Sequence, residues 1–189
     1  PITPETALKF ERTLGRPAHF WNNLERQYQE DRTRLEEKRR LKSRLDWLKN
    51  FPLKAMIQWG WINKQVDRSD QLEEVLRFFG IASPDQWEAM WGEYQVAFRQ
   101  TDKIQVSPFS VSAWLRKGEL DAQNIECDPF DKKLFLGVLK EIRHLTLLSP
   151  QEFLGQLREL CAAAGVAVVF VPELPKTGIY GATRWMGDK

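Results

Sequence analysis

Along most of the chain, apolar residues recur at the spacing of an α-helix and polar residues fill the faces between them. Ala7, Phe10 and Leu14 share one face of a helix predicted from Pro4 to about Leu14, which Gly15 can close in the left-handed region. Phe20, Trp21, Leu24 and Tyr28 repeat at the same period after Pro17. Further helices are predicted over about Leu53–Asn63 and Ser69–Phe79, and after Pro84, Pro108, Pro129 and Pro150. Leu134, Val138, Leu139, Ile142 and Leu145 line the helix after Pro129. Phe153, Leu157, Leu160 and Cys161 point inward from the last, which ends near Ala164.

Five of these starts are written in one local code: Thr3-Pro4, Ser83-Pro84, Ser107-Pro108, Asp128-Pro129 and Ser149-Pro150. An oxygen-bearing residue can accept from an orphan amide of the first turn, and the following proline has no amide to leave unsatisfied. Glu152 can close a capping box on Ser149, and Gln86 one on Ser83. After Gly165 the period changes. The β-branched run Val166-Ala167-Val168-Val169-Phe170-Val171, stopped by Pro172, reads as a buried strand, and residues 182–186 as a second. The fold class expected is mostly α, a helical body with a small C-terminal α/β unit.

Between Glu25 and Lys49, 15 of 25 positions are charged, with only Leu35, Leu41, Leu45 and Leu48 as a thin apolar stripe. This is the pattern of a long exposed helix, with Glu30/Arg34 and Glu36/Arg40 as favourable i,i+4 pairs. The whole chain has 189 residues and a net charge of +2, so no general basic coat for nucleic acid exists. Two cysteines exclude a disulfide scaffold. The longest apolar run, Cys161–Val171, is too short to cross a bilayer, and no signal peptide opens the chain. The chain begins at Pro1 without methionine and stops just after a strand-like run, so it is expected to be an internal piece of a longer protein.

Candidate chemistry is sparse. His19, His144, Cys127 and Cys161 are too far apart in sequence to form a recognisable zinc set, and no HExxH helix, nucleophile elbow or Walker loop occurs. No catalytic residue, metal ligand or cofactor is therefore assigned to this chain. Two features can bind. The basic cluster Lys38, Arg39, Arg40, Lys42 and Arg44 can touch phosphates, although acidic neighbours make a solvated helix face the plainer reading. The aromatic set Trp87, Trp91, Tyr94, Phe98, Phe109 and Trp114 can line a groove for a partner, with core packing as the plainer reading.

The stretch Ile2-Thr3-Pro4-Glu5-Thr6-Ala7-Leu8-Lys9-Phe10-Glu11, with Leu14-Gly15 and Phe20-Trp21-Asn22-Asn23-Leu24-Glu25, resembles the C-terminal half of the helix-turn-helix domain of HigA-type antitoxins of the Xre/Cro class. The resemblance covers about residues 2–28 and places the DNA-reading helix before Pro1. It implies operator binding, and it puts Thr3 near the DNA backbone. Phe20, Trp21 and Leu24 are then residues of dimer or domain packing. Arg16 stands where the family often has a Ser or Thr cap. The far end, with Leu157-Arg158-Glu159-Leu160-Cys161, Gly165–Pro175 and Gly181-Ala182-Thr183-Arg184-Trp185, is similar to the opening of the ImmA/IrrE metallopeptidase-like domain. That resemblance implies a zinc-binding HExxH helix only further downstream.

Four segments follow: residues 1–28, the end of a helix-turn-helix domain; 29–49, a charged connecting helix; 50–149, a helical, tryptophan-rich middle; and 150–189, the start of the metallopeptidase-like domain. The expected function is a cytoplasmic, DNA-binding transcription regulator of antitoxin type, homodimeric on operator DNA, with a C-terminal part that senses a signal or holds a toxin or repressor protein. One alternative is a zinc-dependent endopeptidase in the longer parent. Another is a helical module for protein or peptide partners, with Trp87, Trp91 and Trp114 as its groove.

Overall fold

A computed structural model describes residues 1–99, 106–145 and 149–186, with side chains described except at 92–99, 150 and 151. The protein is mostly helical. In order come α1 (Pro4–Leu14), α2 (Ala18–Lys42), a 3-10 turn (Leu45–Asn50), α3 (Leu53–Gln58), α4 (Arg68–Phe79), α5 (Pro84–Arg99), α6 (Pro108–Gln123), α7 (Lys132–Leu145) and α8 (Pro150–Ala163). The chain divides into two compact units: Pro1–Leu48 with Gln65–Glu73, and Lys49–Lys64 with Glu74–Lys189.

Local chemistry sets most of the helix starts. Thr3, Ser107 and Ser149 each accept the amide three residues on, and proline follows each. The Ser149 hydroxyl also donates to the Glu152 carboxylate at 2.8 Å, so Glu152 meets the cap's side chain and not its backbone amide as a capping box would. Gln86 reaches one residue further back than expected and accepts the Ala82 amide at 2.7 Å. Asp128-Pro129 is not a helix start. α7 begins three residues later, because the Asp131 carboxylate accepts the amides of Lys133 (2.7 Å) and Leu134 (2.9 Å). Asp67 caps α4 in the same way, accepting from Ser69 at 2.7 Å.

In the second unit the core is an aromatic box. Phe51 meets Phe79, Trp87 and Phe109 with ring centroids 5.5, 5.9 and 4.9 Å apart. Trp87 lies flat on Phe109 at 4.3 Å and 3°. Met56, Val75, Val111, Ala113 and Leu174 are buried in the same unit. Farther along it, Val138, Cys161 and Ala164 form a second cluster between α7 and α8, with Phe135, Ile142, Leu157, Leu160, Val166 and Val168 against it.

The expected C-terminal strands do not form among the described residues: residues 166–171 and 182–186 carry no strand. A strand needs a second strand for its backbone donors and acceptors, and here the first run packs its side chains on the helix α6 instead. The Trp114 indole donates to the Val171 carbonyl at 3.2 Å. Val169 and Val171 lie against Gly118, close enough that a Cβ there would touch both. The segment continues as a strap. The Lys176 carbonyl accepts from the Ser107 amide at 2.8 Å, Thr177 is fully buried, and Arg184 pairs with Glu119 and lies over the Trp91 ring.

Candidate functional site

The candidate site is the capped pair α1 and α2 in the first unit. Thr3 is exposed; its Oγ1 accepts the Thr6 amide at 3.2 Å and sits 3.0 Å from the Thr6 hydroxyl. Its carbonyl accepts from Ala7, which is fully buried. The Ile2 amide donates to Glu25 of α2 at 2.9 Å. That bond, after one from Gln29 at 2.7 Å, holds the Glu25 carboxyl below the ordinary carboxylate range. The start of α1 is thereby tied to the side of α2.

The turn between the helices is tightly specified. Gly15 adopts φ 72° and donates to Glu11 at 3.0 Å, the left-handed cap that glycine enters without strain. α2 starts behind Pro17 without a cap from its own flanking side chains. The Glu11 carboxylate, reaching back from α1, accepts the Ala18 amide instead. Trp21 packs edge-on to Phe10 at 5.1 Å and donates its indole N–H to the Arg16 carbonyl at 3.3 Å.

Of the three packing residues expected on α2, only Trp21 is turned toward α1. Phe20 and Leu24 are exposed, as are Leu14 and Tyr28. Sequence spacing put all of them on apolar faces, yet it did not say which face α1 covers.

α2 runs unbroken through the boundary expected at residue 28, and several of its charges pair along its own surface. Glu30 pairs with Arg34 as expected, at 2.6 Å. Glu36 pairs with Arg32 and Arg40 with Glu37, not with each other. In the basic cluster, Lys38 meets Asp70 of α4 at 2.7 Å, which raises the lysine's affinity for its proton. An open depression on α2 is walled by Asn23, Arg26, Gln27, Glu30, Asp31 and Arg34, all from that single helix. Such a surface is solvated and holds no converging reactive groups.

The tryptophan groove is corrected. Trp87 and Trp91 are 0% and 4% exposed, inside the aromatic box, and Trp114 is half-buried under Val171. Burying the indoles of Trp87 and Trp91 against Phe79 and Phe109 is the larger gain in water, so these two form core, while Trp114 keeps an accessible edge. Tyr94 and Phe98 lie outside the described side chains. Among the described residues, no three His, Cys, Asp or Glu side chains stand close enough to hold a metal ion, and no helix is long and apolar enough to cross a membrane.

No family model, curated protein or solved structure matches the chain.

Proposed function

We propose that this chain belongs to a DNA-binding transcription regulator of antitoxin type that acts in the cytoplasm as a homodimer on operator DNA. One observation carries the reading: α1 and α2 form a capped, glycine-split helix pair over the residues that resemble the end of a HigA-type helix-turn-helix. Thr3 is exposed at the N-terminus of α1, where helix amides and dipole favour an anionic phosphate. In this reading Thr3 touches the DNA backbone, and base reading belongs to residues upstream of Pro1.

The remainder of the chain is the sensing or partner-holding part, to which a toxin or repressor protein binds. Residues 150–189 are the start of an α/β unit, whose run 166–171 becomes a strand when a further strand pairs with it. In the longer parent, a downstream zinc helix makes the endopeptidase the second reading. The interaction-module reading is weakened, because Trp87 and Trp91 are buried and only Trp114 of its three groove residues keeps partial exposure.

The test is selection from a random duplex DNA pool with the full-length parent and, separately, with the 189-residue chain. Enrichment of a two-fold symmetric site by the parent, weakened by Thr3→Ala and weaker still with the 189-residue chain, is the expected result. A parent that enriches no sequence overturns the proposal.

A further inference from the structure

From residue 30 to residue 37, α2 is exposed on every side. On this helix four large apolar side chains stay in water: Phe20 (44% exposed), Leu24 (48%), Tyr28 (60%) and Leu35 (61%). At 100° per residue they fall within one arc of about 80° along the helix. They continue past the contact with α1, so packing within the unit does not explain them. Single exposed apolar residues need no explanation, whereas an aligned row does.

The charge along α2 says what covers the row. In its first half, Glu25 and Glu30 outweigh Arg26, giving net −1. In its second half, six basic residues (Arg32, Arg34, Lys38, Arg39, Arg40 and Lys42) outweigh Asp31, Glu36 and Glu37, giving net +3. A second copy of the helix lying antiparallel sets the acidic half on the basic half. A parallel copy sets the two basic halves together.

Register follows from the side chains. With Leu24 opposite Leu35, Tyr28 falls opposite Asp31 and Phe20 opposite Arg39, so each apolar or aromatic group has a matching neighbour. Shifting so that Phe20 meets Leu35 instead sets Leu24 on the Asp31 carboxylate, which charge desolvation disfavours.

We infer that α2 is a homodimer interface in which two copies pair antiparallel, Leu24 of each against Leu35 of the other, about a two-fold axis. The inference rests on the homodimer proposed above and specifies its surface. The interface is isologous, as a two-fold axis requires. α2 has 25 residues and a length of about 37 Å. One helix face of that length is at the low end of specific interfaces, so dissociation in about the micromolar range is expected.

The experiment is sedimentation equilibrium of the 189-residue chain from low micromolar to near-millimolar concentration. Wild type is compared with Leu24→Glu, Leu35→Lys and the two combined. Both positions are exposed, so the monomer fold is unaffected, and far-UV circular dichroism checks this. Each single substitution is expected to weaken dimerisation by about tenfold or more by burying a charge on a leucine. The combination is expected to restore it, because the new acid and the new base face each other only in the antiparallel register. A wild type that stays monomeric throughout overturns this interface, whereas the homodimer of the parent falls only if the parent enriches no two-fold symmetric site. A dimer untouched by either single change overturns the interface alone. Single changes that split the dimer without rescue overturn the antiparallel register.

Discussion

The Glu11 carboxylate in α1 caps α2 by accepting the Ala18 amide across the Gly15 turn. Pro17 flanks the start of α2 and offers no side-chain oxygen to its first amides. The missing local cap is thus replaced from the preceding helix, and a negative charge sits at the positive end of the α2 dipole. Glu11→Ala is expected to destabilise the first unit by about 1 kcal/mol, the usual worth of an N-cap. Glu11→Gln should cost less, because its amide oxygen still accepts. Thermal unfolding of the two variants measures both, and equal melting of Glu11→Ala and wild type would show the cap to be idle.

Glu25 predicts a pH dependence. Hydrogen bonds from Gln29 and from the Ile2 amide hold its folded carboxyl below its ordinary value. A carboxyl lowered on folding contributes stability above its unfolded value and loses it as pH falls through the folded one. The docking of Ile2 on α2 should therefore persist at neutral pH and fade below the ordinary carboxylate range. The Ile2 amide resonance followed by NMR from neutral to acid pH reports this directly. Glu25→Gln should flatten the profile.

Trp87 is the most telling core position. It is fully buried and flat against Phe109. Trp87→Ala should lower stability by about 3–5 kcal/mol, as for other large aromatic deletions, and Trp87→Phe by clearly less. Urea unfolding reads both. A mild Trp87→Ala variant would mean that the aromatic box is not the core of the second unit.

Gly165 adopts φ 80°, and a Cβ there would lie 2.3 Å from the Phe130 Cα. Backbone cannot move aside as a flexible side chain can. Gly165→Ala should destabilise by more than the roughly 1 kcal/mol usual for a left-handed glycine. A denaturation midpoint equal to wild type would contradict the close approach.

The two thiols should differ in reactivity. Burial, and then nearby Cys127, push the Cys161 thiol upward, which leaves little thiolate at neutral pH. Cys127 is partly exposed. Titration of the native protein with a thiol-reactive dye should show one fast and one slow equivalent, merging on unfolding.

The helix starts were the most legible part of this chain. Thr3, Ser107 and Ser149 cap as expected because the donor, the acceptor and the following proline lie within four residues. Asp128-Pro129 has the same letters, yet Asp131 takes the role for α7. Asp67 is a readable signal of the same local kind, an Asp two residues before Ser69. In the candidate site, Thr3 and Gly15 were legible, being local. Glu11 was not, because its partner lies seven residues away across a turn.

The sequence by itself determined that this chain is helical, where most helices begin, and that the densely charged stretch after Glu25 is an exposed helix. These are short-range matters of caps, prolines and 3.6-residue periodicity. Only the tertiary structure decided that Trp87 and Trp91 are core, that Phe20, Leu24 and Leu35 remain in water, and that residues 166–171 pack on α6 without forming a strand. Periodicity marks an apolar face without naming what covers it, and a strand exists only where a second strand takes its backbone bonds.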